Sequence, residues 1–268
     1  MANYTAQDVK KLRDDTDAPM MECKAALEEA GGDFEKAKNL LREKGKAAAA
    51  KRTDRSTAAG VVAIAASADA KTVGAVVLEC ETDFVARNED FIAIAQSVAE
   101  IYRDNETVDE AQIKEIVESA VAKIRENIKV AKSVRLTSDA PIATYVHHDR
   151  TKGSIVTASG EAADPLKKVA IQVVAFPPDV LAKEDLSQEK IESEIEIEKQ
   201  RAINEGKDEK LAENIARGRV NKEYIKRAVL LEQPFYVDAS KSVSQYLAEE
   251  AKGITVTGFV YLAVGQGA

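Results

Sequence analysis

Residues 60–102 read GVVAIAASADAKTVGAVVLECETDFVARNEDFIAIAQSVAEIY. Two runs of β-branched and small apolar residues flank the polar stretch Ser67–Lys71. That pattern predicts a hairpin. The period then changes, and Phe91, Ile94 and Ala95 fall on one face of a helix. Asn88 suits the cap of that helix, and Glu89 and Asp90 suit its positive end. A hairpin followed by a covering helix is an α+β unit. Residues 82–87, TDFVAR, connect the two elements. Phe84 has two readings in that connection: a core residue covering the helix start, or a side chain aimed at another molecule.

Downstream, residues 109–128 form a second amphipathic helix. The order then recurs loosely. VRLT (134–137) and IATYVHHDRTKGSIVTASG (142–160) read as strands around a tight turn, and PLKKVAIQVVAF (165–176) as a helix. The core is therefore two related α+β subdomains with antiparallel sheets, 58–138 and 139–268. Inside the second, residues 187–226 are highly charged. Ile191, Ile195, Ala202 and Ile203 give one apolar stripe, and Leu211, Ile215, Val220 and Tyr224 give another after a turn at Asn204–Asp208. Two such helices pack as an antiparallel hairpin. An ordinary surface pair and a partner-binding or self-association arm both fit this pattern. A helix at Val243–Ala251 and a strand at ITVTGFVYLAVG (254–265), closing one of the sheets, end the chain.

Upstream, residues 1–44 read as a three-helix domain. Val9 and Leu12 mark a first helix, and Pro19 fits the first turn of a second, where no intrahelical N–H is needed. Met20, Cys23, Ala26, Leu27 and Ala30 follow at helical spacing, and Gly31-Gly32 stops the run. Asp33 caps a third helix carrying Phe34, Ala37, Leu40 and Leu41. Residues 45–57, GKAAAAKRTDRST, read as a helical or flexible linker, with a basic contact patch as the alternative.

The composition narrows the function. The chain has 268 residues, 45% of them hydrophobic, so it holds a packed core. A net charge of −8 argues against a general nucleic-acid binder. Aromatics are 5% with no Trp, too few for a base-stacking surface. Cys23 and Cys80 stand far apart without a C-x-x-C motif, which predicts reduced, buried thiols in a cytoplasmic protein. The start MANYTAQDVK has no signal-peptide pattern, and no apolar run reaches the roughly 18 residues of a membrane span.

Motifs for chemistry are missing. There is no GxxxxGK[ST], GxGxxG or GxSxG. The terminal GQGA has no helix after it. The two histidines, His147 and His148, are adjacent, and neighbours in a strand face opposite sides. Glu79, Glu81, Asp83, Glu89 and Asp90 are acidic but do not have the spacing of a calcium loop. The expectation is a protein without metal or cofactor, not an enzyme, that works by interaction.

Thr82-Asp83-Phe84-Val85-Ala86-Arg87-Asn88 resembles the TDFVA(K/R)(N/D) signature of the elongation factor Ts family. Leu12-Arg13 through Thr16, then Met20-Met21-Glu22-Cys23-Lys24-Ala25-Ala26-Leu27, resembles that family's opening, a ubiquitin-associated-type domain. Gln233-Pro234-Phe235 and Thr257-Gly258-Phe259 are similar to two further family positions, so the resemblance runs along the whole chain in order. It is to the bacterial type with a short C-terminus. The resemblance implies nucleotide exchange on the GTPase elongation factor Tu, with Asp83 and Phe84 wedging beside the nucleotide's magnesium, flanked by Thr82 and Val85. It also implies partner contacts at Arg13, Lys24, His147, Tyr236 and Val237. Two departures stand out: the turn after His147 is longer than usual, and Gln172 replaces a histidine common in the core helix. A non-enzymatic adaptor or chaperone using the helical domain and arm is the alternative.

Overall fold

The computed structural model describes residues 3–16, 18–50, 52–160 and 163–266. Lys51 of the predicted linker and Gly267-Ala268 of the terminal GQGA lie outside the described residues. Internal contacts divide the chain into two compact units. One comprises residues up to Ala65, Gly74–Arg135 and those from Leu262 onward; the other comprises Ala66–Val73 and Leu136–Tyr261.

The first unit begins with three helices, α1 (Ala6–Thr16), α2 (Met20–Glu29) and α3 (Phe34–Ala50). Leu12, Cys23, Ala26, Leu27 and Ala37 are fully buried between them. Pro19 stands just before α2, and its carbonyl accepts from the Glu22 and Cys23 N–H groups. Gly31 and Gly32 take φ of +66° and +90°, and the Gly32 N–H closes α2 onto the Leu27 carbonyl at 2.9 Å. Asp33 Oδ1 accepts from the Lys36 N–H at 3.0 Å. One expectation needs correction: Met20, placed at helical spacing with Cys23 and Ala26, is 43% exposed, because it opens α2 one turn before the packed face. Of the two readings of the linker, the helical one describes its first part: α3 runs through Ala50, as its alanines favour.

The sheet of this unit has the order β1-β2-β3, with β1 at Ala59–Ala66, β2 at Thr72–Cys80 and β3 at Lys129–Thr137. The stretch VRLT is thus the end of a longer strand beside β2. Helices α5 (Glu89–Asp104) and α6 (Glu110–Ile124) complete the core, with Phe91, Ala95, Val98 and Ala99 fully buried with β2's Val76, Leu78 and Cys80. Gly74 is required here: a Cβ would lie 2.2 Å from the Ala99 carbonyl and 2.3 Å from the Arg103 nitrogen. Any side chain would push α5 off the sheet.

In the second unit, β4 (Ala143–Val146), β5 (Lys152–Ser159) and β8 (Thr255–Ala263) form a sheet in the order β4-β5-β8. Strands β4 and β5 are antiparallel, with Ala143 opposite Val156 and Val146 opposite Gly153. Helix α7 (Ala163–Ala175) covers them through Leu166, Val169, Ala170 and Val173. A short pair, β6 (Pro234–Phe235) and β7 (Asp238–Ser242), leads into α11 (Val243–Glu250). Phe235 stacks on Tyr246 of α11 with centroids 4.0 Å apart.

The arm consists of α8 (Gln188–Asn204) and α9 (Glu209–Arg219), then a π-helical turn at Val220–Tyr224 and a short α10 (Ile225–Ala228). Ala202, Val220 and Tyr224 of the predicted stripes are buried, but the second stripe departs at Leu211, which is 46% exposed, while its neighbour Ala212 and Ala216 are fully buried. Small side chains let two helices approach closely, and the face that carries Ala212 turns the adjacent Leu211 outward. Leu186, Val220, Tyr224, Ile225 and Val229 form a separate cluster at the base.

Candidate functional site

Residues 82–87 are more ordered than a plain connection. Asp83–Ala86 make one helical turn, α4. Thr82 caps it, its hydroxyl accepting from the Val85 N–H at 3.3 Å. One turn has two sides. Ala86 is buried and Val85 packs against the core cluster. Asp83 and Phe84 face outward, and Phe84 is 83% exposed. Its ring therefore contributes no burial to the fold, and a partner that covered it would gain about 1.5–3 kcal/mol. Asp83 pairs with Arg87 at 3.0 Å on the same surface, an exposed contact of small energetic weight.

A second layer holds the turn. Glu126 Oε2 accepts from the N–H groups of Glu81 and Thr82, both at 3.0 Å, and its Oε1 accepts from the Thr82 hydroxyl at 2.6 Å. Glu81 Oε1 accepts in return from the Asn127 N–H at 2.7 Å. The Asn127 amide donates to the carbonyls of Thr53 and Arg55. Sequence reasoning missed Glu126. Residues 81 and 126 are far apart in the chain, and nothing in either stretch signals the pairing.

Glu79 and Asp90, acidic residues near the turn, have structural partners. Glu79 is buried, accepts from the Thr57 hydroxyl and the Gly265 N–H at 3.0 Å each, and pairs with Lys129 at 3.2 Å. Burial pushes its carboxyl up, but these donors together outweigh it and hold the carboxyl below its ordinary range. Asp90 pairs with Lys123 at 3.2 Å. Cys80, under the turn, is buried, and burial pushes its thiol up to about 12, with the Glu126 charge adding to the rise.

The other predicted contact residues fall on several surfaces. Arg13 on α1 and Lys24 on α2 are exposed, and Met21 beside Lys24 is also exposed. His147 begins the turn after β4; its Nδ1 lies 3.1 Å from the Tyr145 hydroxyl, and its ring packs edge-on against His148 at 4.3 Å. Tyr236 and Val237 form the tip between β6 and β7, at 39% and 60% exposure. Their backbone is anchored from below: the Tyr236 N–H donates to Gln172 Oε1 at 2.8 Å. Burial pushes the Tyr236 phenol up.

The described residues thus form an α+β core with an outward aromatic turn, an N-terminal group of helices and a helical arm. The family model described as Elongation factor TS matches residues 81–266. The chain is 40% identical to the Elongation factor Ts of Clostridium botulinum (strain Alaska E43 / Type E3), over 98% of this chain and 93% of that protein. It is 42% identical to that of Azoarcus sp. (strain BH72), over 100% of this chain and 92% of the relative. With that of Prosthecochloris aestuarii (strain DSM 271 / SK 413) it shares 37% identity, over 99% of this chain and 100% of the relative. The chain belongs to the elongation factor Ts family.

Proposed function

We propose that the chain is a guanine-nucleotide exchange factor for elongation factor Tu and acts in the cytoplasm without chemistry of its own. One observation carries the reading: Phe84 stands 83% exposed on a turn that is capped by Thr82 and fastened by Glu126. The turn is shaped before any partner arrives. A preorganised apolar projection loses little entropy on insertion.

Exchange needs a partner that binds the nucleotide-free GTPase better than the GDP-bound one. The coupling is reciprocal, so GDP weakens the complex as much as the complex weakens GDP. Shifting occupancy by about 10⁴ takes about 5.5 kcal/mol of differential binding. Burying one Phe supplies about 1.5–3 kcal/mol. Phe84 is therefore the wedge, and other surfaces hold the GTPase while it acts. Arg13 and Lys24 on the helical unit, and His147, Tyr236 and Val237 on the second unit, are our candidates for that grip. Asp83 brings a carboxylate to the magnesium side of the wedge.

The test is release of a fluorescent GDP from elongation factor Tu. The protein at substoichiometric concentration should accelerate release over many turnovers. Unchanged release would overturn the reading.

A further inference from the structure

Glu126 lies outside the signature residues, yet three hydrogen bonds converge on it, two from Thr82 of the signature and one from Glu81 just before it. We propose that Glu126 is a positioning residue for exchange, setting the direction of Phe84 through Thr82. The inference rests on the exchange reading above.

The chemistry of the Thr82 hydroxyl carries the inference. A hydroxyl has one proton and two lone pairs. A carboxylate only accepts, so the 2.6 Å contact to Glu126 Oε1 obliges Thr82 to donate to it. With the proton committed, a lone pair is left for the Val85 N–H at 3.3 Å, which is the cap of α4. Glu126 thus orients the cap as well as holding the residue that provides it. Its other oxygen takes the Glu81 and Thr82 N–H groups, the two that precede the turn. The chain entering α4 is fixed at three points by one side chain. Phe84 is the second residue of that turn, so a rotation of the cap swings its ring directly.

The position of Glu126 fits the role. Arg125 closes α6 in the left-handed conformation, φ +69°, which turns the chain abruptly. Arg125 pairs with Glu22 of α2 at 2.6 Å, while the next residue, Glu126, reaches Thr82. Adjacent residues thus fasten the helical unit and the wedge turn.

The experiment is a double-mutant cycle on stimulated GDP release, using Glu126→Gln, Phe84→Ala and the pair, with thermal stability measured for each. A glutamine keeps the shape but presents an amide donor where the acceptor stood. Glu126→Gln should slow maximal stimulated release about tenfold, the factor that corresponds to one lost hydrogen bond to a charged group. The concentration giving half-maximal stimulation should stay near that of the wild type. In the Phe84→Ala background Glu126→Gln should have no further effect, because no ring is left to aim. Glu126→Asp should be intermediate. An undiminished maximal rate in folded Glu126→Gln overturns the proposal, as does a loss of equal size in both backgrounds. Either result leaves the exchange reading standing if the wild type accelerates release and Phe84→Ala does not. A wild type without activity overturns both.

Discussion

Gln172 and Gln233 are hydrogen-bonded to each other in the interior of the second unit, Nε2 of the first to Oε1 of the second at 2.9 Å. Neither side chain is exposed. Gln233 Nε2 donates onward to the carbonyls of Phe176 and Arg227, at 2.9 and 2.7 Å. Gln172 also bonds to the Pro234 carbonyl and accepts from the Tyr236 N–H. The pair thereby ties the end of α7 and the return of the arm to the tip bearing Tyr236 and Val237.

Replacing Gln233 by Leu should destabilise the protein by about 2–4 kcal/mol, because the Phe176 and Arg227 carbonyls and the Gln172 amide each lose a buried partner. Denaturant unfolding measures this. A loss under about 0.5 kcal/mol would show that water replaces the side chain.

Glu79 makes stability depend on acid. Its folded carboxyl lies below the ordinary value, so the unfolded chain binds the proton more readily. The stabilisation is present above the unfolded value of roughly 4.3 and is lost as pH falls through the folded one. Glu79→Gln should cost about 1–3 kcal/mol at pH 7 and flatten the acid limb of the stability curve. Parallel acid limbs in wild type and variant would contradict the assignment.

The cysteines should be inert in the native state. Both are free and buried; burial pushes the Cys23 thiol up and the Cys80 thiol to about 12. Thiol reagent at pH 8 should label neither until denaturant is added, since the thiolate is the reactive form. Prompt labelling of native protein would contradict the packing around α4 and α2.

Much of this was legible in the sequence because the signals are local. The hairpin, the Asn88 cap and the core face of Phe91 follow from period and capping alone. So do the Gly31-Gly32 stop and the arm as a helical pair. What stayed hidden depends on distant partners. Nothing near Glu126 announces Thr82, and nothing near Gln172 announces Gln233. The arm seam is legible at Ala202, Val220 and Tyr224 but not at Leu211, because the contact there is made by the small residues Ala212 and Ala216, which carry little apolar signal. Residues 82–87 lacked the length for any periodicity, so a capped single turn looked like a connection.

The most direct measurement compares wild type with Phe84→Ala in stopped-flow GDP release from elongation factor Tu, alongside thermal unfolding. Phe84 is exposed, so the truncation should change folding stability by less than about 0.5 kcal/mol. The account predicts a Phe84→Ala protein that is fully folded, still binds the nucleotide-free GTPase and has lost most of its acceleration of release. A folded Phe84→Ala that releases GDP as fast as the wild type would contradict it.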